Sequence, residues 1–318
     1  ATISNVKLDN ISIGTEVAPI ETSSSTKTGI LVGYQSSSLS VINNIEITNS
    51  AIYLNSSSST YAYVGGIVGE VRGTLEQVTV DNVYVQVKTS SYATARIGGA
   101  VGYVYESGKA RELSVQADVN FRVLAILTTL SERSFNIYVG GLFGDADPGS
   151  TSNSEAYGLL YIGEVDIAAL NFNPNEGHDG VYSVFVGGLF GVMNRSFYDV
   201  YADATVSLNY VEESVETNVN KYVRVGGLAG SVNTYDLPEQ VVLYEGSLQL
   251  DVPESVNLLV SEGVAKALVM PAIYTLNGVE IIINETPYEA NDLTVITTFD
   301  ELFTNEFLLG AISSIIVD

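Results

Sequence analysis

Residues able to do chemistry are few and scattered in this chain. His178 is the only histidine, in Glu176-Gly177-His178-Asp179-Gly180. A Ser-His-Asp triad needs a nucleophile and an acid placed around that imidazole, and no nucleophile-elbow pattern supports one. The same stretch offers Glu176, His178 and Asp179 as ligands for a weak metal site; a solvated loop explains them more simply. Asp145-Ala146-Asp147 offers oxygens to Ca²⁺. The spaced Gly-Gly-x-Gly-x-Asp calcium repeat is absent, and Pro148-Gly149 follows, so a turn is the expectation there. Ca²⁺ is the one cofactor left open, and none is assigned.

Glycoside hydrolysis needs two carboxyls about 5–10 Å apart across a cleft. Asp199 with Asp203, and Glu212 with Glu213, are the candidate pairs. With one His, 13 Lys and Arg and no Trp to stack a sugar, the chain carries no catalytic motif, and the expectation is a protein that is not an enzyme. A polysaccharide lyase or glycosidase, or a carbohydrate-binding adhesin, is the alternative. The adhesin would work through tyrosine-rich loops such as Tyr61-Ala62-Tyr63 and Tyr103-Val104-Tyr105, since Tyr is a frequent contact residue; Tyr is also a common strand residue.

The elements that would position such residues are written as repeats. A Gly-Gly-x-x-Gly box stands at Gly65-Gly66 with Gly69, Gly98-Gly99 with Gly102, and Gly140-Gly141 with Gly144. It returns at Gly187-Gly188 with Gly191 and at Gly226-Gly227 with Gly230, with a weaker echo over 28–33. The first glycines are 33, 42, 47 and 39 residues apart, a period of roughly 40 that signals a solenoid or array. Apolar residues flank every pair, as in Val64-Gly65-Gly66-Ile67-Val68, so the box is either buried on both sides or bends at its glycines. A Rossmann fingerprint needs Gly-x-Gly-x-x-Gly opening a helix, and a P-loop needs Gly-Lys-Ser/Thr. Neither is present.

Between boxes, Ile3, Val6, Leu8, Ile11 and Ile13 are spaced 3, 2, 3, 2, and so are Leu75, Val78, Val80, Val83 and Val85. Tyr157, Leu160, Ile162, Val165 and Ile167 share the rhythm. The twos are strand alternation, and each three inserts a corner residue. Asp9-Asn10, Asn49 and Asp81-Asn82 fall at such corners, and Asn and Asp tolerate the left-handed conformation. Polar loops of varying length absorb the variation in period. The fold expected is all-β, a right-handed parallel β-helix (β-solenoid). Residues 1–236 form the repeat array, and 237–318 form degenerate final rungs with a capping helix over 300–309 and a terminal strand over 313–317.

The formal net charge is −24, which repels nucleic acid and anionic membrane surfaces. There is no cysteine, so disulfides and thiolate metal sites are excluded. No run is long enough to span a bilayer as a helix. The first residue is Ala1 and no signal peptide is seen, which fits a mature, processed or excerpted segment. Asn-x-Ser/Thr sequons at Asn10, Asn55, Asn194 and Asn284 are acceptors for glycosylation in a eukaryotic secretory pathway.

The Gly-Gly-Leu-Phe-Gly boxes with their preceding short strands resemble the GLUG repeat, over roughly residues 28–235. That family occurs in bacterial surface and adhesin-like proteins. The resemblance implies an extracellular, repetitive β-structure at the cell surface and no catalytic residues. The function expected is a secreted structural protein: a surface fibre, filament or adhesin stalk. Its partners would be copies of itself, head to tail, and surface glycans or other extracellular proteins. Ile3, Val6 and Leu8 at one end and Ile315, Ile316 and Val317 at the other are the residues expected to pair in that assembly by β-strand addition.

Overall fold

The computed structural model describes residues 1–57, 60–89, 94–123, 135–146, 155–171, 181–194, 196–211, 220–232, 242–252, 257–261, 275–283 and 286–288, with residues 306–307 and 311. Its strands form three parallel sheets. Each coil contributes one long strand, then a second short strand, then a third. In the coil that starts at Thr74 these are Thr74–Thr89, Thr94–Gly98 and Val101–Val104. The next coil supplies Lys109–Val123, Phe135–Gly140 and Phe143–Ala146. This is a parallel β-solenoid. Each box closes one coil, so successive boxes are separated by a single coil and not by two.

The boxes stack in register. Gly65 pairs with Gly98, Gly98 with Gly140, Gly140 with Gly187, and Gly187 with Gly226. The core is built of matching columns. Ile45, Val78, Leu113, Leu159 and Val200 follow one another up the long sheet, all fully buried. Such stacking lets each coil bury a face that it cannot bury alone. Phe143 lies over Phe190 with ring centroids 5.6 Å apart.

The box does both things its sequence allows: it is buried throughout and it bends. The second strand ends at the first glycine, the chain turns through the next two residues, and the third strand follows. Val64, Ile67, Val68 and Val71 all reach the core. None of the box glycines is among the residues with positive φ, so close approach requires them, not conformational freedom. A Cβ on Gly65 would lie 2.6 Å from the Ala100 carbonyl oxygen of the next coil. A Cβ on Gly69 would lie 2.6 Å from the Thr28 nitrogen, and one on Gly102 would lie 2.5 Å from the Val64 nitrogen. The third strand of each coil therefore lies against the second strand of the coil before it.

Left-handed residues make the corners of the long strands. Asn10, Asn49 and Asn82 have φ of 57°, 49° and 53°, as their residue type predicts. A second column holds Asn5, Asn44, Gln77, Glu112 and Asp199, with φ between 52° and 57°, and Gly158 takes its place in the coil between Glu112 and Asp199. Asparagines bond along these corners: Asn44 Nδ2 donates to Asn5 Oδ1 at 2.6 Å, and Asn82 Nδ2 to Asn49 Oδ1 at 2.8 Å.

One frame differs from the sequence reading. In the coil from Glu155, the core column runs through Ala156, Leu159 and Tyr161 before Val165 and Ile167. Tyr157, Leu160 and Ile162 sit on the opposite face, because Gly158 turns the strand one residue earlier than the apolar spacing suggests. After Val242–Asp251, the strand Thr275–Ile283 continues the parallel long sheet, and Thr286–Tyr288 returns antiparallel against it. The expected helix over 300–309 falls outside the described residues apart from Glu306 and Phe307, which are helical. The expected strand over 313–317 lies outside them altogether.

Candidate functional site: a notch of cations and tyrosines

Because the third strand packs on the preceding coil's second strand, the outward side chains of the two strands meet in a narrow notch along the solenoid. The second strands bring Lys27, Tyr63, Arg96, Tyr138, Phe185 and Arg224 to one wall. The third strands bring Tyr34, Glu70, Tyr103, Asp145, Val192 and Ser231 to the other.

The contacts run diagonally, one coil to the next. Lys27 Nζ lies 2.5 Å from Glu70 Oε2. The Tyr63 and Tyr103 rings are 5.2 Å apart. Arg96 Nε donates to Asp145 Oδ2 at 2.6 Å. Glu70 and Asp145 are only 2% and 4% exposed, and a buried carboxylate is tolerable only when paired. Arg72 adds a second ion pair to Glu70, Nε to Oε1 at 2.7 Å. The cations also lie over tyrosine faces: Lys27 over Tyr34 at 3.5 Å, Arg72 over Tyr105 at 4.0 Å and Arg96 over Tyr103 at 4.0 Å. Arg96 also donates to the Tyr63 hydroxyl.

The electrostatics follow from this packing. Burial works against charging Arg96, but the Asp145 carboxylate together with Tyr63 and Tyr103 outweighs it and holds the guanidinium above its ordinary range. The hydrogen bond to Glu70 raises Arg72. Burial pushes the Tyr63 phenol up, against the pull of Arg96. Tyr63 is therefore a neutral hydrogen-bonding and stacking group at ordinary pH.

The residues singled out in the sequence fall in different places. Tyr61, Tyr63 and Tyr103 are on strands and not in loops, and Tyr103 is only 6% exposed. Asp145 and Ala146 continue a strand, not the expected turn, because the third strand runs to Ala146. The Asp145 carboxylate faces Arg96. Asp147, His178 with its neighbours, Glu212 and Glu213 lie outside the described residues. Asp199 sits at a left-handed corner, and burial pushes its carboxyl up. Asp203 is on the exposed face of the same strand. Among the described residues no group of His, Cys, Asp and Glu is arranged to hold a metal ion, and no helix is long and apolar enough to cross a membrane. Of the sequon asparagines, Asn10 is exposed. Asn55 is half-buried and donates from Nδ2 to Glu21 Oε1 at 2.7 Å, Asn194 is half-buried, and Asn284 is outside the described residues.

The sequence reading missed the notch. A signal was available: over the first four coils the residue two before each box pair and the residue after each third glycine alternate between charged and aromatic, as Lys27, Tyr63, Arg96, Tyr138 and as Tyr34, Glu70, Tyr103, Asp145. Reading those two columns one coil out of step pairs Lys27 with Glu70 and Arg96 with Asp145.

Comparison of the chain with protein-family models, with curated proteins and with solved structures gives no match. The resemblance to the GLUG repeat therefore rests on the boxes themselves.

Proposed function

We propose that this chain is a non-catalytic structural protein of the cell exterior, a β-solenoid rod serving as a surface fibre or adhesin stalk of the GLUG-repeat kind. The observation that carries the reading is the continuity of the stack. The second strands stack without a break from the first coil to the strand Asn257–Ser261, with the box ladder running through Gly226, and Lys27 with Glu70 and Arg96 with Asp145 pair coil to coil. A rod needs that. Electron microscopy of the purified protein tests it, with rods expected and compact particles counting against it. A sugar-oligomer cleavage assay with and without Ca²⁺ tests the alternative. Turnover lost on mutating Asp199 with Asp203, or Glu212 with Glu213, would overturn the structural reading.

The same reading includes head-to-tail assembly. Four of the five exposed large hydrophobic side chains among the described residues, Val17, Ile20, Tyr34 and Leu39, belong to the first coil. A hollow of about 180 Å³ opens there beside Ile3, Val32, Val41 and Ile42. It suits an apolar side chain from residues 315–317 of a second copy. The antiparallel strand Thr286–Tyr288 covers the last parallel strand over Ile281–Ile283, which favours the terminal segment as donor over direct stacking of long strands. Deleting residues 311–318 should abolish the fibres. Unchanged fibres, or a full-length protein that stays monomeric at high concentration, would refute strand exchange.

A further inference from the structure

Two core columns are close to interchangeable from coil to coil. Ile45, Val78, Leu113, Leu159 and Val200 are all aliphatic, and Val64, Ile97, Val139, Val186 and Val225 repeat nearly one residue type. Other columns vary in size, but with neighbours that repeat: Phe143 and Phe190 follow one another over Val101. Columns of this kind reward a coil that stacks on the wrong neighbour nearly as well as on the right one. The notch does not. Its walls differ from coil to coil and meet as an ion pair, an aromatic pair and again an ion pair.

We propose that the buried ion pairs of the notch are ordering residues, which select the coil that stacks on each coil. A skipped coil would set Lys27 against Tyr103 instead of Glu70, and Arg96 against Val192 instead of Asp145. Each error leaves a largely buried cation, Lys27 at 18% or Arg96 at 16% side-chain exposure, without the carboxylate that faces it, at a cost that the uniform columns do not recover. The choice of ion pairs is informative in itself. A buried pair is often no more stabilising than apolar side chains of similar volume, and its best-attested use is to fix register. Like-shaped repeats in one chain are where that use is needed, because misassembly between them is the characteristic failure of repeat proteins.

The test separates ordering from stability. The chain has no cysteine, so Lys88→Cys with Arg122→Cys, at facing ladder positions of adjacent coils, reports correct stacking as a disulfide. Into this background go Arg96→Met with Asp145→Leu, a pair of apolar replacements. After rapid refolding from denaturant, the parent should form the disulfide in nearly every molecule. The apolar double variant should remain folded, with a far-UV spectrum like the parent's, while its cross-linked fraction falls at least threefold. A parental cross-linked fraction in the double variant overturns the proposal. If that variant does not refold, Lys27→Met with Glu70→Leu and Arg72→Met, which replaces every partner of Glu70, is read in the same way, by cysteines at the facing positions 7 and 46. Failure of both apolar variants to fold also overturns it, since the pairs would then be stabilising the stack and not selecting it.

Discussion

Gly99→Ala is the sharpest perturbation of the stack, because two effects of opposite sign compete in it. In an ordinary strand, replacing glycine by alanine restricts the unfolded chain and stabilises the fold by about 0.4–1 kcal/mol. At Gly99 the new Cβ falls onto the Gly141 carbonyl oxygen of the next coil and lies 3.0 Å from the Ala117 Cβ. The first of these neighbours is backbone and cannot rotate away. Relief requires the two coils to part, and the bonds there include Gly99 N to Gly141 O at 2.7 Å and Ala100 N to Leu142 O at 3.1 Å. Overpacking costs about 1–3 kcal/mol, and each weakened hydrogen bond adds about 0.5–1.5 kcal/mol. With two bonds weakened and the entropic gain subtracted, the net loss is about 1–5.5 kcal/mol. Urea unfolding followed by far-UV circular dichroism reads it. A midpoint unchanged or raised would refute the claim that the box glycines are there for close approach.

Other expected outcomes follow from single side chains. Tyr161→Phe removes the bond from a fully buried hydroxyl to the Ala117 carbonyl, 2.7 Å long, and should cost about 1–2 kcal/mol in the same assay. Arg96→Met alone leaves Asp145 buried without its counter-ion and should cost about 3–5 kcal/mol. Gln77→Asn keeps the left-handed corner with a residue that tolerates it and should gain about 0.5–1 kcal/mol. Asp199 has a raised pKa because it is partly buried, so its ionisation favours the unfolded chain and its contribution to stability falls as pH rises from the unfolded pKa through the folded one. Asp199→Asn should therefore raise the thermal midpoint at neutral pH, and its advantage should shrink as pH falls below the ordinary carboxylate range.

Sequence made some of this legible and hid the rest for physical reasons. Three glycines at fixed offsets announce a close approach wherever they recur, so the boxes and their register could be read directly. Corners at Asn10, Asn49 and Asn82 were readable because asparagine advertises the left-handed conformation. Gln77, Glu112 and Asp199 do the same work in a parallel column and were silent, since tertiary packing and not residue preference holds them there. The frame around Tyr157 misled because Leu160 is apolar and fully buried yet is not part of the core cluster. The Arg96–Asp145 bond joins residues 49 apart, across two different strands of two different coils. Spacing within one repeat cannot show such a pair; only the two columns compared one coil out of step can.

The box and the notch have one cause. Without side chains at Gly69, Gly102 and Gly144, the third strand settles against the backbone of the preceding coil's second strand. That settling closes the core on the inside. On the outside it forces the two strands' outward side chains into mutual contact and takes Glu70 and Asp145 out of water. A charge in that position must then be matched by its neighbour one coil away, so the glycines that make the coils stack tightly also make the stacking selective. Beyond Gly230 no Gly-Gly pair recurs. Ser261 stands against Gly226 where the next box glycine would be. The glycine ladder that sets the notch therefore ends there, and the described strands beyond it, Val242–Asp251 and Thr275–Ile283, stack through the long sheet and the antiparallel return of Thr286–Tyr288.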